Sequence, residues 1–240
     1  AAWGQSNERR GIGAAPPPPP DPGGPIGLAL AAAKTTSAAV TKLKDAQIDK
    51  LLQTKGTATA VDAKLVRAEL RKLPLDVLNM MASQGIKVTV VRNSITEALP
   101  DLKGKRPRGW SSGTWDDVPG IYSPSTKQVV IATRATSKTD PTRRIPPNGD
   151  GHGSANLVIH EAMHGYNDAV KLKSGNHASD SKAFTDARDK DVAKLSDYEK
   201  QPGTAGREET FSESAALYYG GFKTGRPNID QYFKDNVGSR

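Results

Sequence analysis

"LVIHEAMHGYND", residues 157–168, carries two of the chain's four histidines, with a glutamate directly after the first. Residues four apart on an α-helix lie one above the other, so His160 and His164 present two imidazoles on one face. That arrangement suits two corners of a zinc tetrahedron. Glu161 is rotated by about 100° from His160 and lies beside such an ion rather than on it, where a general base belongs. Two readings compete: a helix that grips a metal, and an ordinary helix with two surface histidines. The flanks weigh toward the first. Leu157, Val158, Ile159, Ala162, Met163 and Tyr166 make the helix apolar on most sides. Such a helix is buried, and buried imidazole nitrogens need partners. Ser154, after "GDGHG", is the expected helix cap.

A catalytic zinc takes three protein ligands and leaves a position for water. The chain has no cysteine, which excludes thiolate ligands, disulfides and thiol catalysis. The pattern HExxHxxGxxH is excluded too, because position 170 is Val170. His152 and His177 are the remaining histidines. The other common solution is a carboxylate on a second helix, and "REETFSESAALYYGG", residues 207–221, supplies it. Glu209 and Glu213 share one helical face. Phe211, Ala215, Tyr218 and Phe222 form an apolar stripe that reads as core. Ser212 and Ala216 are small enough to let a second helix come close. Glu208 lies on a different face from Glu213 and reads as a solvated first-turn charge that favours the helix dipole.

Three pieces, "VIHEAMHGYND", "SKAFTDARDKDVAKLSDY" and "EETFSESAALYY", together resemble gluzincin metallopeptidases of the anthrax lethal factor type, a group that includes the secreted Pro-Pro endopeptidases. The resemblance implies an α+β, zincin-like metallopeptidase domain: a small mixed sheet, an active-site HExxH helix and a second, glutamate-bearing helix. It implies one catalytic Zn2+ held by His160, His164 and Glu209, with Glu213 orienting a ligating histidine. It implies Glu161 as base and Tyr198 as a hydrogen-bond donor to the tetrahedral oxyanion. On its own, Tyr198 reads equally as a surface or packing residue. Eleven residues separate it from Glu209, a longer interval than the family pattern has. The resemblance covers about residues 85–240; no match is recognisable before 85.

The implied activity is hydrolysis of peptide bonds in a protein target. Organisation extends that to the catalytic C-terminal domain of a bacterial toxin or secretion-system effector, secreted or delivered into another cell. An upstream delivery module and a cognate inhibitor are the implied partners beside the protein or peptide substrate. The alternatives are a zinc-binding, peptidase-like module that holds a partner without cleaving it, and a basic helical module with an accidental motif. Self-cleavage at Pro146-Pro147 or within Pro16 to Pro20 is a further idea.

The rest of the chain bounds these readings. At 240 residues it accommodates one catalytic domain with a core, plus tails. Hydrophobic content of 35% and aromatic content of 5% are low, which leaves part of the chain unpacked. Net charge is +8, but the basic residues are scattered among acids, as in "DARDKDVAKLSDYEK". No basic run has interleaved aromatics, so a dedicated nucleic-acid site is not expected. No stretch approaches the ~18 apolar residues of a membrane span. No signal peptide is visible, and the start at Ala1 reads as a fragment or processed product.

Residues 1–27, with five consecutive prolines, read as a disordered linker or tail of polyproline II character. An SH3-type ligand is the sharper alternative. Residues 28–84 read as a helical N-terminal subdomain and 85–240 as the catalytic region. Within the first, "SAAVTKLKDAQIDKLLQ" places Val40, Leu43, Ile48, Leu51 and Leu52 near one face. Within the second, "IKVTVV" is a strand and "GWSSGTWDDVPG" a loop with two tryptophans. "GIYSPSTKQVVIATR" is a hairpin, whose strand "KQVVIAT" is expected either as the rim of the cleft or as an interior strand. "SKAFTDARDKDVAKLSDYEK" is helical. Helices, a small sheet and more helices imply α+β.

Overall fold

Two β-branched runs organise the molecule. Lys87–Val91 forms strand β2 and Gln128–Ala132 forms β4. They run parallel, with Val88 opposite Val129 and Val90 opposite Ile131. The period-two alternation of a strand sends these four residues into the main core. Val91, Val130 and Ala132 bury on the opposite face, with Ile95, Ala98 and Val118. Strand β3, Gly120–Ser123, returns antiparallel along β4, and β1, Leu52–Thr54, adds in parallel to β2. The order is β1-β2-β4-β3. The hairpin is therefore as expected, but "KQVVIAT" is not the rim. It is an interior strand, and β3 holds the edge. The reason is visible in its composition: a run apolar on both faces is stable only where both are covered.

A computed structural model describes residues 25–107 and 111–240, with side chains from residue 36 onward. The expected polyproline linker lies outside the described residues as far as residue 24, and so does Trp110. From Pro25 the chain is helical: α1 spans Pro25–Leu51. The chain divides after Ala39 into two compact units. Of the expected apolar face on α1, Ile48 and Leu51 are buried, whereas Val40 and Leu43 are exposed. Leu52 leaves the helix for β1. Its ladder with β2 takes over there, and Lys87 Nζ caps the end of α1 by donating to the Lys50 carbonyl at 2.7 Å. Helices α2, Ala60–Leu70, and α3, Leu75–Ser83, follow. They pack on the metal-motif helix in the same compact unit as the sheet.

That helix, α4, spans Leu157–Ser174. Its cap is Asn156, whose side chain accepts from Ile159 N–H, rather than Ser154. Ser154 instead accepts from Asn156 N–H. α4 lies close over the sheet because Gly165, directly after His164, has no side chain. A Cβ there would stand 3.1 Å from Val129 Cγ2 and 3.3 Å from Ile86 Cγ2. Helix α5 covers Lys182–Asp191 and ends in a short 3-10 turn over Val192–Lys194, so the expected helix does not continue to residue 200. A turn anchored by the buried Glu199 replaces it. Helix α6, Gly203–Gly220, ends at Gly221 with φ 83°, and α7 covers Pro227–Asn236. Phe184, Phe211, Tyr232 and Phe233 pack together between α5, α6 and α7, Phe184 edge to face with Phe211 and Tyr232, and Tyr232 with Phe233. Phe222, expected in the core stripe, is 46% exposed, because it lies past the glycine that ends α6.

The contact at Gly165 yields a stability prediction. Gly165→Val forces branched methyls against Ile86 and Val129 and should cost about 1–3 kcal/mol, the usual range for overpacking. Urea unfolding followed by circular dichroism measures it; an unchanged midpoint would show that α4 has room to lift.

Candidate metal centre

The helical register of α4 brings His160 Nε2 and His164 Nε2 to 3.2 Å from one another. Glu209, on α6, points Oε2 at both, 3.5 Å from His160 Nε2 and 3.6 Å from His164 Nε2. Tetrahedral ligands bonded at about 2.0–2.1 Å to zinc stand roughly 3.3–3.4 Å apart. The three observed separations are close to those edges. Two imidazoles and one carboxylate, with a fourth direction toward the cleft, form a donor set that fits catalytic zinc. Among the described residues, this is the group whose ligand atoms converge in that way.

Glu213, one turn along α6, supports the first histidine. Its Oε2 lies 3.1 Å from His160 Nδ1, and its Oε1 accepts Ala155 N–H at 3.0 Å. An ionised Glu213 makes Nδ1 the donor, which leaves Nε2 free to ligate. Tyr198 reaches the group from another direction: its hydroxyl donates to Glu209 Oε1 at 3.3 Å. The eleven-residue interval is taken up by the turn at residues 196–200 and the first turns of α6. Glu209 thus divides its oxygens, one toward the histidines and one toward the tyrosine.

Glu161 lines the adjoining cleft of about 610 Å³, together with Gly120, Leu157 and Tyr198. Gly120 opens β3 and lets the strand approach closely; a Cβ there would be 2.6 Å from Leu157 Cδ1 and 3.1 Å from Glu161 Cγ. Sequence reasoning passed over Gly120, although a glycine at the start of a strand is a signal of close approach. It also passed over Ala155 N–H, which no side-chain pattern can reveal.

One residue stands otherwise than expected. Glu208 is not a solvated first-turn charge. It is in the second turn of α6, and its Oε1 lies 3.2 Å from His177 Nδ1. His177 also lies 3.3 Å from Asp180 Oδ2, so a carboxylate cluster occupies it and it takes no part in the metal group. His152 is held by the Pro146 carbonyl, 2.9 Å from Nε2, and by Ser154 N–H on Nδ1. Neither spare histidine closes the site.

Charge explains why these groups stay together. Burial by itself disfavours a proton on His160, but the bonded Glu209 and Glu213 carboxylates and the nearby Glu161 outweigh it and raise its pKa to about 10. Burial likewise opposes ionisation of Glu209, yet its bonds to His160 and His164 hold it well below the usual carboxylate range. Glu213 is lowered in the same way by His160. Burial of the Tyr198 hydroxyl and the charges of Glu209 and Glu161 push the phenol up to about 12, so it remains a donor at neutral pH.

Comparison with known proteins places these features. The chain matches the family described as anthrax toxin lethal factor, N- and C-terminal domain, over residues 42–232. It belongs to that family. The match begins well before residue 85, where the sequence motifs alone ended, because α2, α3 and β1 are part of the same unit as the metal helix. The Pro-Pro endopeptidase of Paenibacillus alvei is 32% identical over 164 residues, 65% of this chain and 66% of that protein. The Pro-Pro endopeptidase of Clostridioides difficile is 27% identical over 146 residues, 59% and 58%. The chain spans under two thirds of the length of these curated relatives. The solved structure of the Paenibacillus alvei enzyme superposes with a TM-score of 0.60 at 27% identity, covering 78% of this chain and 97% of that one. The α+β, zincin-like architecture is that of the family.

Zinc content of purified variants tests the donor set. Glu209→Ala should lose most bound zinc and Glu208→Ala should keep it. Glu213→Ala should bind about 10–100-fold more weakly, as is usual when a partner of a ligating histidine is removed. Zinc also competes with the proton on His160, since only the neutral imidazole ligates. Chelator-treated protein at pH 7 lies below the raised His160 pKa of about 10, so His160 is protonated there. Each zinc bound should release about one proton, and affinity should fall as pH is lowered. Calorimetry in buffers of different ionisation enthalpy counts the protons.

Proposed function

We propose that this chain is a zinc-dependent endopeptidase that hydrolyses peptide bonds in a protein target. One observation carries the reading: two histidine nitrogens and a glutamate oxygen at tetrahedral spacing, on the wall of a cleft that Glu161 and Tyr198 also line. Zinc held by His160, His164 and Glu209 would supply Lewis-acid polarisation of the scissile carbonyl and a more acidic water. Glu161 takes the proton from the attacking water as its oxygen bonds to the carbonyl carbon. The same carboxyl group returns that proton to the amine nitrogen as the C–N bond breaks. Tyr198 donates its hydroxyl hydrogen to the developing oxyanion. Glu213 fixes the His160 tautomer throughout. A module that binds without cleaving has no use for Glu161 or Tyr198.

The Pro-Pro bond is the first substrate to try, given the names of the relatives. The cleft supports it: Pro107, Trp115, Val118, Ile121 and Pro124 contribute apolar lining, suited to proline rings. The outer edge of β3 is free within the sheet and offers an extended peptide a backbone to lie along. Self-cleavage at Pro146-Pro147 is disfavoured, because Pro146 is buried and its carbonyl holds His152. Pro16 to Pro20 lie outside the described residues. Membership of the lethal factor family supports the wider reading as the catalytic part of a bacterial toxin or effector. That reading brings an upstream delivery module, a cognate inhibitor, and secretion or delivery into another cell. Among the described residues no helix is long and apolar enough to cross a membrane.

Glu161→Ala should keep its zinc and lose hydrolysis by at least the ~10²–10⁴-fold that general acid–base catalysis contributes. A library of quenched peptides containing Pro-Pro, incubated with wild type and variant, checks both rate and bond. Cleavage by the variant at the wild-type rate would remove Glu161 from the mechanism.

A further inference from the structure

The proposed mechanism asks Tyr198 for one well-placed hydroxyl, yet Tyr198 is 63% exposed and little packing holds its ring. The neighbouring residue is the opposite case. Glu199 is buried, and its carboxylate accepts from both ends of the Arg226 guanidinium, Nη1 to Oε1 at 2.6 Å and Nη2 to Oε2 at 2.9 Å. Arg226 is buried as well, and its Nη1 also donates to Ser214 Oγ at 2.7 Å. Ser214 sits on α6 directly after Glu213. Glu199 Oε2 further accepts Ser196 N–H at 2.9 Å and Ser196 Oγ–H at 2.8 Å, which closes the turn around Tyr198. From the backbone side, the Glu199 carbonyl accepts from Arg188 Nη2 at 2.7 Å and from Thr210 Oγ1 at 3.1 Å. Thr210 is the residue after Glu209. The turn also lies flat on the start of α6: a Cβ on Gly206 would be 1.9 Å from the Gln201 carbonyl oxygen.

We infer that the buried Glu199–Arg226 pair is a positioning device that locks the turn bearing Tyr198 to the helix bearing Glu209 and Glu213. The inference rests on the peptidase reading for what Tyr198 does, and on geometry alone for how it is held. A buried ion pair is a poor device for stability, since apolar residues of like volume often replace one without loss. What a bidentate guanidinium–carboxylate pair adds is fixed direction. Here that direction runs from α6 through Ser214 and Arg226 to the backbone one residue from Tyr198. With the hydroxyl 3.3 Å from Glu209 Oε1, slack in the turn moves the donor out of reach of the oxyanion while the metal group stays intact.

The test uses Arg226→Lys, which keeps the charge and loses the fork. A second variant, Glu199→Met with Arg226→Met, keeps the volume and guards against misfolding from an unpaired charge. Both should bind zinc as wild type does and keep KM. Their kcat should fall on the order of 10²-fold, the scale for a misplacement of about 1 Å. Tyr198→Phe combined with Arg226→Lys should be no slower than Tyr198→Phe alone, because two changes to one function do not add. Crystal structures of chelator-treated wild type and Arg226→Lys provide a readout independent of turnover. The Tyr198 hydroxyl should leave hydrogen-bond distance of Glu209 while His160, His164 and Glu209 stay in place. Wild-type kcat in both variants, multiplicative losses in the combined variant, or an unmoved tyrosine would each overturn the inference. If the wild type cleaves no peptide, the peptidase reading fails, and the crystallographic comparison still decides whether the pair holds Tyr198.

Discussion

The packing of α4 against α6 is the contact on which the site depends, and it is the most extensive contact between helices in the described chain. Small residues make it possible. Ser212 and Ala216 are fully buried on the face of α6 that carries Glu209 and Glu213, and leave room for α4. At that separation a glutamate side chain spans the gap with an oxygen to spare. Glu213 meets His160 Nδ1 and still reaches Ala155 N–H, while Glu209 meets both Nε2 atoms and still receives Tyr198. Larger residues in the interface would push the carboxylates out of reach together.

The position of α4 is set in turn by the sheet. Gly165 brings the helix down onto Val129 and Ile86, and Gly120 brings β3 against the start of the helix beside Glu161. Glu161, the two histidines of α4 and the edge strand are therefore fixed to one another where side chains pack on two bare glycines. The electrostatics act within that frame. Opposed charges crowd together where water is largely excluded, so each shifts the other: His160 holds its proton strongly and Glu209 and Glu213 resist theirs. A divalent cation bound there would replace the proton as the partner of those carboxylates. A site with this bias is poised for a metal and costly to leave without a counter-charge.

The shared faces of the candidate site were legible because helical periodicity is local. His160, Glu161 and His164, and likewise Glu209 and Glu213, declare their relation through spacing within one helix. The strands "IKVTVV" and "KQVVIAT" were legible through β-branched alternation for the same reason. Where sequence distance had to stand in for spatial distance, the reading lost force. The interval between Tyr198 and Glu209 looks long on paper, yet the chain folds back and the two side chains meet. Glu208 looked solvated because the partner that claims it, His177, comes from the loop that follows another helix.

By itself, the sequence determined the elements and their faces: a motif helix apolar on most sides, a second helix with paired carboxylates, and a hairpin with its turn at "SPSTK". Those follow from backbone geometry and side-chain chemistry within a few residues. Only the tertiary structure decided that β4 is interior and β3 the edge, that Leu52 leaves a helix to join a parallel strand, and that α5 stops short. It alone brought Glu199 and Arg226 together beneath the turn of Tyr198. Each of those outcomes turns on a partner distant in the chain. A ladder hydrogen bond or a buried charge pair outweighs local propensity, which is worth only tenths of a kcal/mol per residue.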